Sequence, residues 1–309
     1  MTVTSDLQAQ DYYVFDNAWE HARHRLTLLE QCFDTGTIRR LQSLGVQSGW
    51  RCLEAGAGAG SITRWLCSQV GPTGRVLAVD LDTRFLDQLD EPNLDVARMD
   101  LRTDELPRNA FDLVHARALL MHVPQREQIL DALVAAVRPG GVLLVEDADH
   151  FPVLAAESRL HAEVFEAVFD SAVRVGMAKD WARRLPTELH RRGLRDVWAD
   201  CEAPLFEGGS VHSQFWRLSA AQARDLVIAE GISPQQFDEW DRQLGEPGRW
   251  FPSMAIVAAS GRRDDWRPDS PILETAVYSR YLTETSSSLL HDRCSDSPTS
   301  EPPSRNDMP

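Results

Sequence analysis

Apolar residues recur along this chain in two rhythms. Short unbroken runs bounded by glycine, proline or an acid read as buried strands, and apolar residues spaced three or four apart read as amphipathic helices. The strand-like runs are Arg51 to Glu54, Arg75 to Asp80, Asp95 to Met99, Phe111 to Arg117, Val142 to Asp147, Leu194 to Ala199 and Met254 to Ala259. Helical spacing follows the first run, with Ile62, Trp65, Leu66 and Val70 on one face, and returns over Gln125 to Val137. Strands alternating with helices predict an α/β fold, a doubly wound seven-stranded sheet covered on both faces. Ahead of it, Tyr12, Val14, Trp19, Arg23, Leu26, Leu29, Phe33, Ile38 and Leu41 predict two helices broken near Asp34-Thr35-Gly36.

Two stretches are longer than the connections they make. Residues 151–193 carry Leu160, Val164, Phe165, Val168, Phe169 and Val173 at helical spacing, and residues 207–252 hold Phe215, Trp216, Leu226, Phe237 and Trp240. Both read as inserted helical lid segments. The expected organisation is a helical cap over 1–44, a core over 45–263 with those insertions, and a tail over 264–309. The tail is rich in Ser, Pro, Asp and Glu, cannot bury enough apolar area to order itself, and is expected to be largely disordered, as are residues 1 to 10.

The first strand-like run ends in Glu54-Ala55-Gly56-Ala57-Gly58-Ala59-Gly60-Ser61. Glycines are needed where the backbone turns sharply and lies against a ligand that any Cβ would strike. A dinucleotide fingerprint would put its third glycine at position 61, where Ser61 stands. The second strand ends in Asp80, twenty residues after Gly60, where a carboxylate can accept hydrogen bonds from both ribose hydroxyls of a nucleoside.

Glu54 to Gly60, Asp80, Asp100, the Phe111-Asp112-Leu113-Val114 segment and the Pro139-Gly140-Gly141 turn occur in order over about Val46 to Asp149. As a set they resemble the class I S-adenosylmethionine-dependent methyltransferases, in particular the ubiquinone-type and natural-product branch. The resemblance implies a Rossmann-like sheet whose last strand returns antiparallel, with S-adenosylmethionine as cofactor. It implies that the loop of Gly56, Gly58, Gly60 and Ser61, together with Glu54, holds the amino-acid end. Asp80 would take the ribose, Leu81 would wall the adenine, and Asp100 and Leu101 would meet its amino group and ring. Ala116 and Arg117 come at the open, carboxyl end of the fourth strand, in the zone where ligands of doubly wound sheets sit. From the cap, Arg25, Tyr13 and Trp19 are candidates to reach a ligand.

Methyl transfer from a sulfonium depends mainly on near-attack geometry in a dry site. An oxygen acceptor also needs a base, for which His122 and His150 are the candidates, imidazole titrating near neutrality. The aromatic insertions, Phe165 and Phe169 among them, suit a small apolar or aromatic methyl acceptor. The rival readings are an NAD(P)-dependent oxidoreductase, against which Ser61 counts, and a non-catalytic protein that keeps the fold for ligand binding.

A formal charge of −15 and a pI near 5.0 argue against a nucleic-acid partner. No apolar run approaches ~20 residues and the N-terminus is polar, so neither a membrane span nor a signal peptide is expected. The five cysteines are scattered without a C-x-x-C pair, which suits a reduced cytoplasm and gives no zinc site.

Overall fold

In the computed structural model, which describes residues 18–264, the apolar runs become strands with few changes of boundary. They are β1 (Arg51–Ala55), β2 (Arg75–Asp80), β3 (Leu94–Arg98), β4 (Phe111–Arg117), β5 (Val137–Asp149), β6 (Arg195–Glu202) and, after a short ribbon of β7 (Leu205–Glu207) and β8 (Trp250–Pro252), β9 (Ala255–Arg262). The main sheet runs β3-β2-β1-β4-β5-β9-β6. Strands β1 to β5 are parallel, and β9 enters antiparallel between β5 and β6. This is the expected seven-stranded sheet. β5 begins earlier than expected and takes in Pro139-Gly140-Gly141, because Val137 already pairs with Phe111 before a register shift. The β7–β8 ribbon was not anticipated.

Helix α1 (Ala22–Ser43) precedes the sheet as one continuous helix. The expected break at Asp34-Thr35-Gly36 does not occur. Asp34 and Thr37 are satisfied by tertiary partners, Arg117 and Glu146, instead of turning the chain. Gly36 brings α1 close to β6: a Cβ there would lie 2.6 Å from Glu202 Oε2. That approach offsets the roughly 1 kcal/mol that glycine costs inside a helix. The readings for Tyr12, Tyr13, Val14, residues 1 to 10 and the tail beyond Asp264 lie outside the described residues.

Alternation along the strands sorts side chains between two faces. On one, Leu41 of α1 and Ile62, Leu66 and Val70 of α2 (Ser61–Val70) pack on Cys52, Val76, Leu113 and Leu144. On the other, α3 (Arg126–Ala136) and α5 (Leu185–Arg191) cover Leu53, Val114, Leu143 and Ala259.

A third core joins α4 (Arg159–Val173), α6 (Val211–Gln222), α7 (Arg224–Ala229), α8 (Pro234–Leu244) and the ribbon to Met121 and Ala148, which follow β4 and belong to β5. At its centre the fully buried His161 accepts a hydrogen bond from Trp240 Nε1 on Nδ1 (3.1 Å) and donates from Nε2 to the Pro252 carbonyl (3.0 Å). Burial lowers its pKa to about 4, against the carbonyl, so it is a neutral core imidazole. Among the described residues no helix is long and apolar enough to cross a membrane, and no group of three or more His, Cys, Asp or Glu could hold a metal ion.

Candidate functional site

The glycine turn leaves β1 with all three glycines in the left-handed region, at φ 72° (Gly56), 58° (Gly58) and 87° (Gly60). The turn is tied back to β2: Gly56 and Ala57 donate to the Val79 carbonyl, and Gly58 N donates to Asp80 Oδ2 at 2.9 Å. Asp80 also accepts from Asp82 N at 3.0 Å. Burial raises the Asp80 pKa, against these backbone donors. The three glycines do different work. A Cβ on Gly60 would strike Leu89 at 2.7 Å and one on Gly56 would press on Leu119 at 3.2 Å, whereas one on Gly58 would meet no protein atom within 4 Å.

What that Cβ would enter is a cavity of about 930 Å³ over the carboxyl ends of β1 to β4, the size of a small-molecule site. Of the candidate residues, Glu54, Gly56, Gly58, Ser61, Asp80, Leu81, Asp100, Leu101, Arg117, Arg25, His122 and Phe169 line it. Asp100 Oδ1 accepts from the backbone N–H and Nε of Arg102, and its Oδ2 accepts from Nη2 at 2.7 Å. These bonds, against partial burial, hold the Asp100 carboxyl below its usual range. Arg117 is fixed to α1 through Thr37 (3.0 Å) and Asp34 (2.8 Å).

The N-terminus of α2 also has an acidic neighbour. Glu30 of α1 lies beside Ser61 on the cavity wall; burial and Asp34 raise its pKa, against Arg117 and the polar groups of Ser61. Helix N-termini attract anions, and this one already faces an acidic side chain of its own chain.

Away from the glycine turn the walls become apolar, with Leu26, Met121, Phe169, Met177, Trp216 and Met254. His122 lies here in a 3₁₀ turn (Leu120–His122) after β4. Burial, aided by the positive field of Arg25, lowers its pKa to about 4, so the imidazole is neutral. The turn is held from beneath by Asp147 at the end of β5, which accepts from Leu119 N at 3.1 Å. Burial pushes Asp147 up to about 8, against the N–H groups of Leu119 and Met121. Ser219 of α6 also lines the cavity, with its buried hydroxyl unpartnered.

Five expectations are corrected. Gly60 does not line the cavity, since its bare Cα accommodates Leu86 and Leu89. Ala116 points into the core on the α3 face of the sheet. His150 turns away from the cavity, with Nδ1 3.1 Å from the Lys179 carbonyl and its ring 5.6 Å behind Phe169. Phe165, one turn before Phe169, packs on Trp216 at 4.3 Å inside the third core. Trp19 packs edge-on against His21 at 5.0 Å and does not line the cavity. Conversely, Glu30, Arg102, Met177 and Ser219 line the cavity without having been singled out. Glu30 stands three residues before Phe33 on the expected cap helix, and that helical spacing was its one available signal.

Residues 53–143 match the family described as "Methyltransferase domain". Over 109 residues the chain is 34% identical to the ubiquinone/menaquinone biosynthesis C-methyltransferase UbiE of Ectopseudomonas mendocina, and 32% to that of Pseudomonas fluorescens; each match covers 33% of this chain. The chain spans 43% of the length of these curated relatives. Among solved structures, a Bacillus halodurans protein assigned to the methyltransferases aligns with a TM-score of 0.50, over 74% of this chain and 98% of its own, at 15% identity. A Haloferax volcanii chain solved with the Trm112 methyltransferase activator aligns with a TM-score of 0.51, over 80% of this chain and 97% of its own, at 12% identity. At such identities the two structures speak for the fold alone.

Proposed function

We propose that this chain, whose residues 53–143 match a methyltransferase domain, is a class I S-adenosylmethionine-dependent methyltransferase that transfers a methyl group from that cofactor to a small, largely apolar metabolite. The carrying observation is the N-terminus of α2. A dinucleotide would have to seat its pyrophosphate there, against the acidic side chain of Glu30, which lines the cavity beside Ser61. S-adenosylmethionine has no phosphate, and its sulfonium and ammonium suit a wall carrying Glu30, Glu54 and Asp80. Bound there, it supplies an electrophilic methyl group.

The chain's own part is to bind, orient and exclude water. Asp80 takes the ribose hydroxyls at the β2 end. Leu81, Met99 and Leu101 enclose the base, and Gly58 permits the close approach that any side chain would block. The apolar end, closed by α4 and α6 acting as a lid, receives the acceptor. His122 faces it as a neutral imidazole able to accept a hydrogen bond or an acidic proton. So weak a base suits a carbon nucleophile on an electron-rich ring, or a hydroxyl that is already acidic. The curated relatives' name, C-methyltransferase, fits the first of these.

Calorimetric titration with S-adenosylmethionine, S-adenosylhomocysteine and NAD tests the reading. The first two are expected to bind and NAD is not. In Asp80→Ala the first two should bind more weakly by about 1–3 kcal/mol, the cost of leaving polar groups unpaired. Binding of NAD without the other two would overturn the assignment.

A further inference from the structure

Glu54, His115 and Glu146 stand on β1, β4 and β5 on the face of the sheet that α1 covers, and Glu54 is the cross-strand neighbour of His115. His115 Nδ1 lies 2.7 Å from Glu54 Oε2, and Nε2 lies 3.3 Å from Glu146 Oε2. His115 and Glu146 have no exposed surface, while Glu54 reaches the cavity. Ionised carboxylates only accept, so two of them against one ring require a proton on each nitrogen. The row continues outward. Thr37 donates to Glu146 at 2.5 Å, and Arg40 reaches Glu146 (3.0 Å), Asp200 (3.1 Å) and Glu202 (3.1 Å). Ala258 pairs with both Glu146 and Asp200, and its small side chain leaves room for Arg40. Arg117, bonded to Thr37 and Asp34, completes the charged groups around the ring.

We propose that His115 is a positioning residue, an imidazolium held by Glu146 that fixes Glu54 so that its carboxylate meets the ammonium of the cofactor's amino-acid end. The inference rests on the cofactor reading above. A buried ionic row of this kind is seldom repaid in stability, since apolar residues of similar volume commonly serve as well. Its inner end opens on the ligand cavity, where a carboxylate free to rotate would lose its aim. Glu54 Oε2 is engaged by the ring, and its other oxygen is the one offered to the ligand.

The test compares two ligands on the full chain and on His115→Gln. S-adenosylhomocysteine carries the amino-acid end; 5′-methylthioadenosine has the same nucleoside without it. In His115→Gln the first should bind about 10- to 100-fold more weakly, as for a lost charge-assisted hydrogen bond, with the second unchanged. Equal losses for both, or no loss for S-adenosylhomocysteine, would overturn the role while leaving the cofactor assignment standing. A wild-type chain that binds neither ligand removes both. If His115→Gln does not fold, nitrogen NMR of the wild-type ring decides. Both ring nitrogens should be protonated at neutral pH, and Nδ1 should shift with S-adenosylhomocysteine but not with methylthioadenosine. A neutral ring would overturn the proposal.

Discussion

His122 is the side chain whose chemistry depends most on its surroundings. The same imidazole on the surface would titrate near neutrality, but burial beside Arg25 keeps it neutral and weakly basic. If it accepts the acceptor's proton, His122→Ala should lower kcat by about 100-fold with S-adenosylhomocysteine affinity unchanged. Undiminished turnover would confine the residue to packing. The candidate site was legible at this scale where function is local in sequence. Gly58, Ser61, Asp80 and Asp100 sit at strand ends that the pattern itself locates. Gly60 and Ala116 belong to the same stretches yet serve the core, because periodicity does not tell which side of a turn meets a ligand. His115 and Glu30 gain their roles only from neighbours far away in the chain, and no spacing rule could pair them.

Helix α1 shows how one element ties the sheet together. Arg39 and Arg40 reach the same two carboxylates, Asp200 and Glu202, yet Arg39 is half exposed while Arg40 is buried and also holds Glu146. Arg40→Leu should therefore cost about 3–5 kcal/mol by taking from the buried Glu146 one of its charged partners. Arg39→Leu should cost about 0–1 kcal/mol, as for an exposed pair. Chemical denaturation of the two variants checks the contrast, and similar losses would mean that the buried row is not what anchors the helix. The same element accounts for the main misreading of the fold. Asp-Thr-Gly is turn chemistry in isolation, and only the facing Arg117, Glu146 and Glu202 keep it helical. The long strands were legible as apolar runs. The three-residue strands β7 and β8 were not, being too short to show a period.

Across the whole molecule the buried ionisable groups set how stability follows pH. Asp147, raised to about 8, and His115, raised to about 9 by Glu54 and Glu146 in spite of burial, both hold protons more tightly when folded. The stability Asp147 contributes is complete below its ordinary value and is lost as pH rises through about 8; for His115 the loss runs from its ordinary value through about 9. Glu146 acts in reverse. Despite burial, His115, Thr37 and Arg117 bring it to about 2, so its contribution is complete above its ordinary value and is lost as pH falls from there through about 2. A net charge of −15 adds self-repulsion as pH rises. The melting temperature should thus peak on the acid side of neutrality and fall towards pH 9. Asp147→Asn should flatten the fall between about pH 4 and 8. A wild-type profile that rises across that interval would contradict the assignment.

The carboxylate of Glu30 at the head of α2 has a consequence for redesign. Converting this scaffold to dinucleotides by editing its turn, with glycine at position 61, would leave an acidic side chain where the diphosphate must lie. Selections that randomise only the turn should stall. Productive lineages should carry a second change in α1, at residue 30, in a stretch that carries no nucleotide-binding motif.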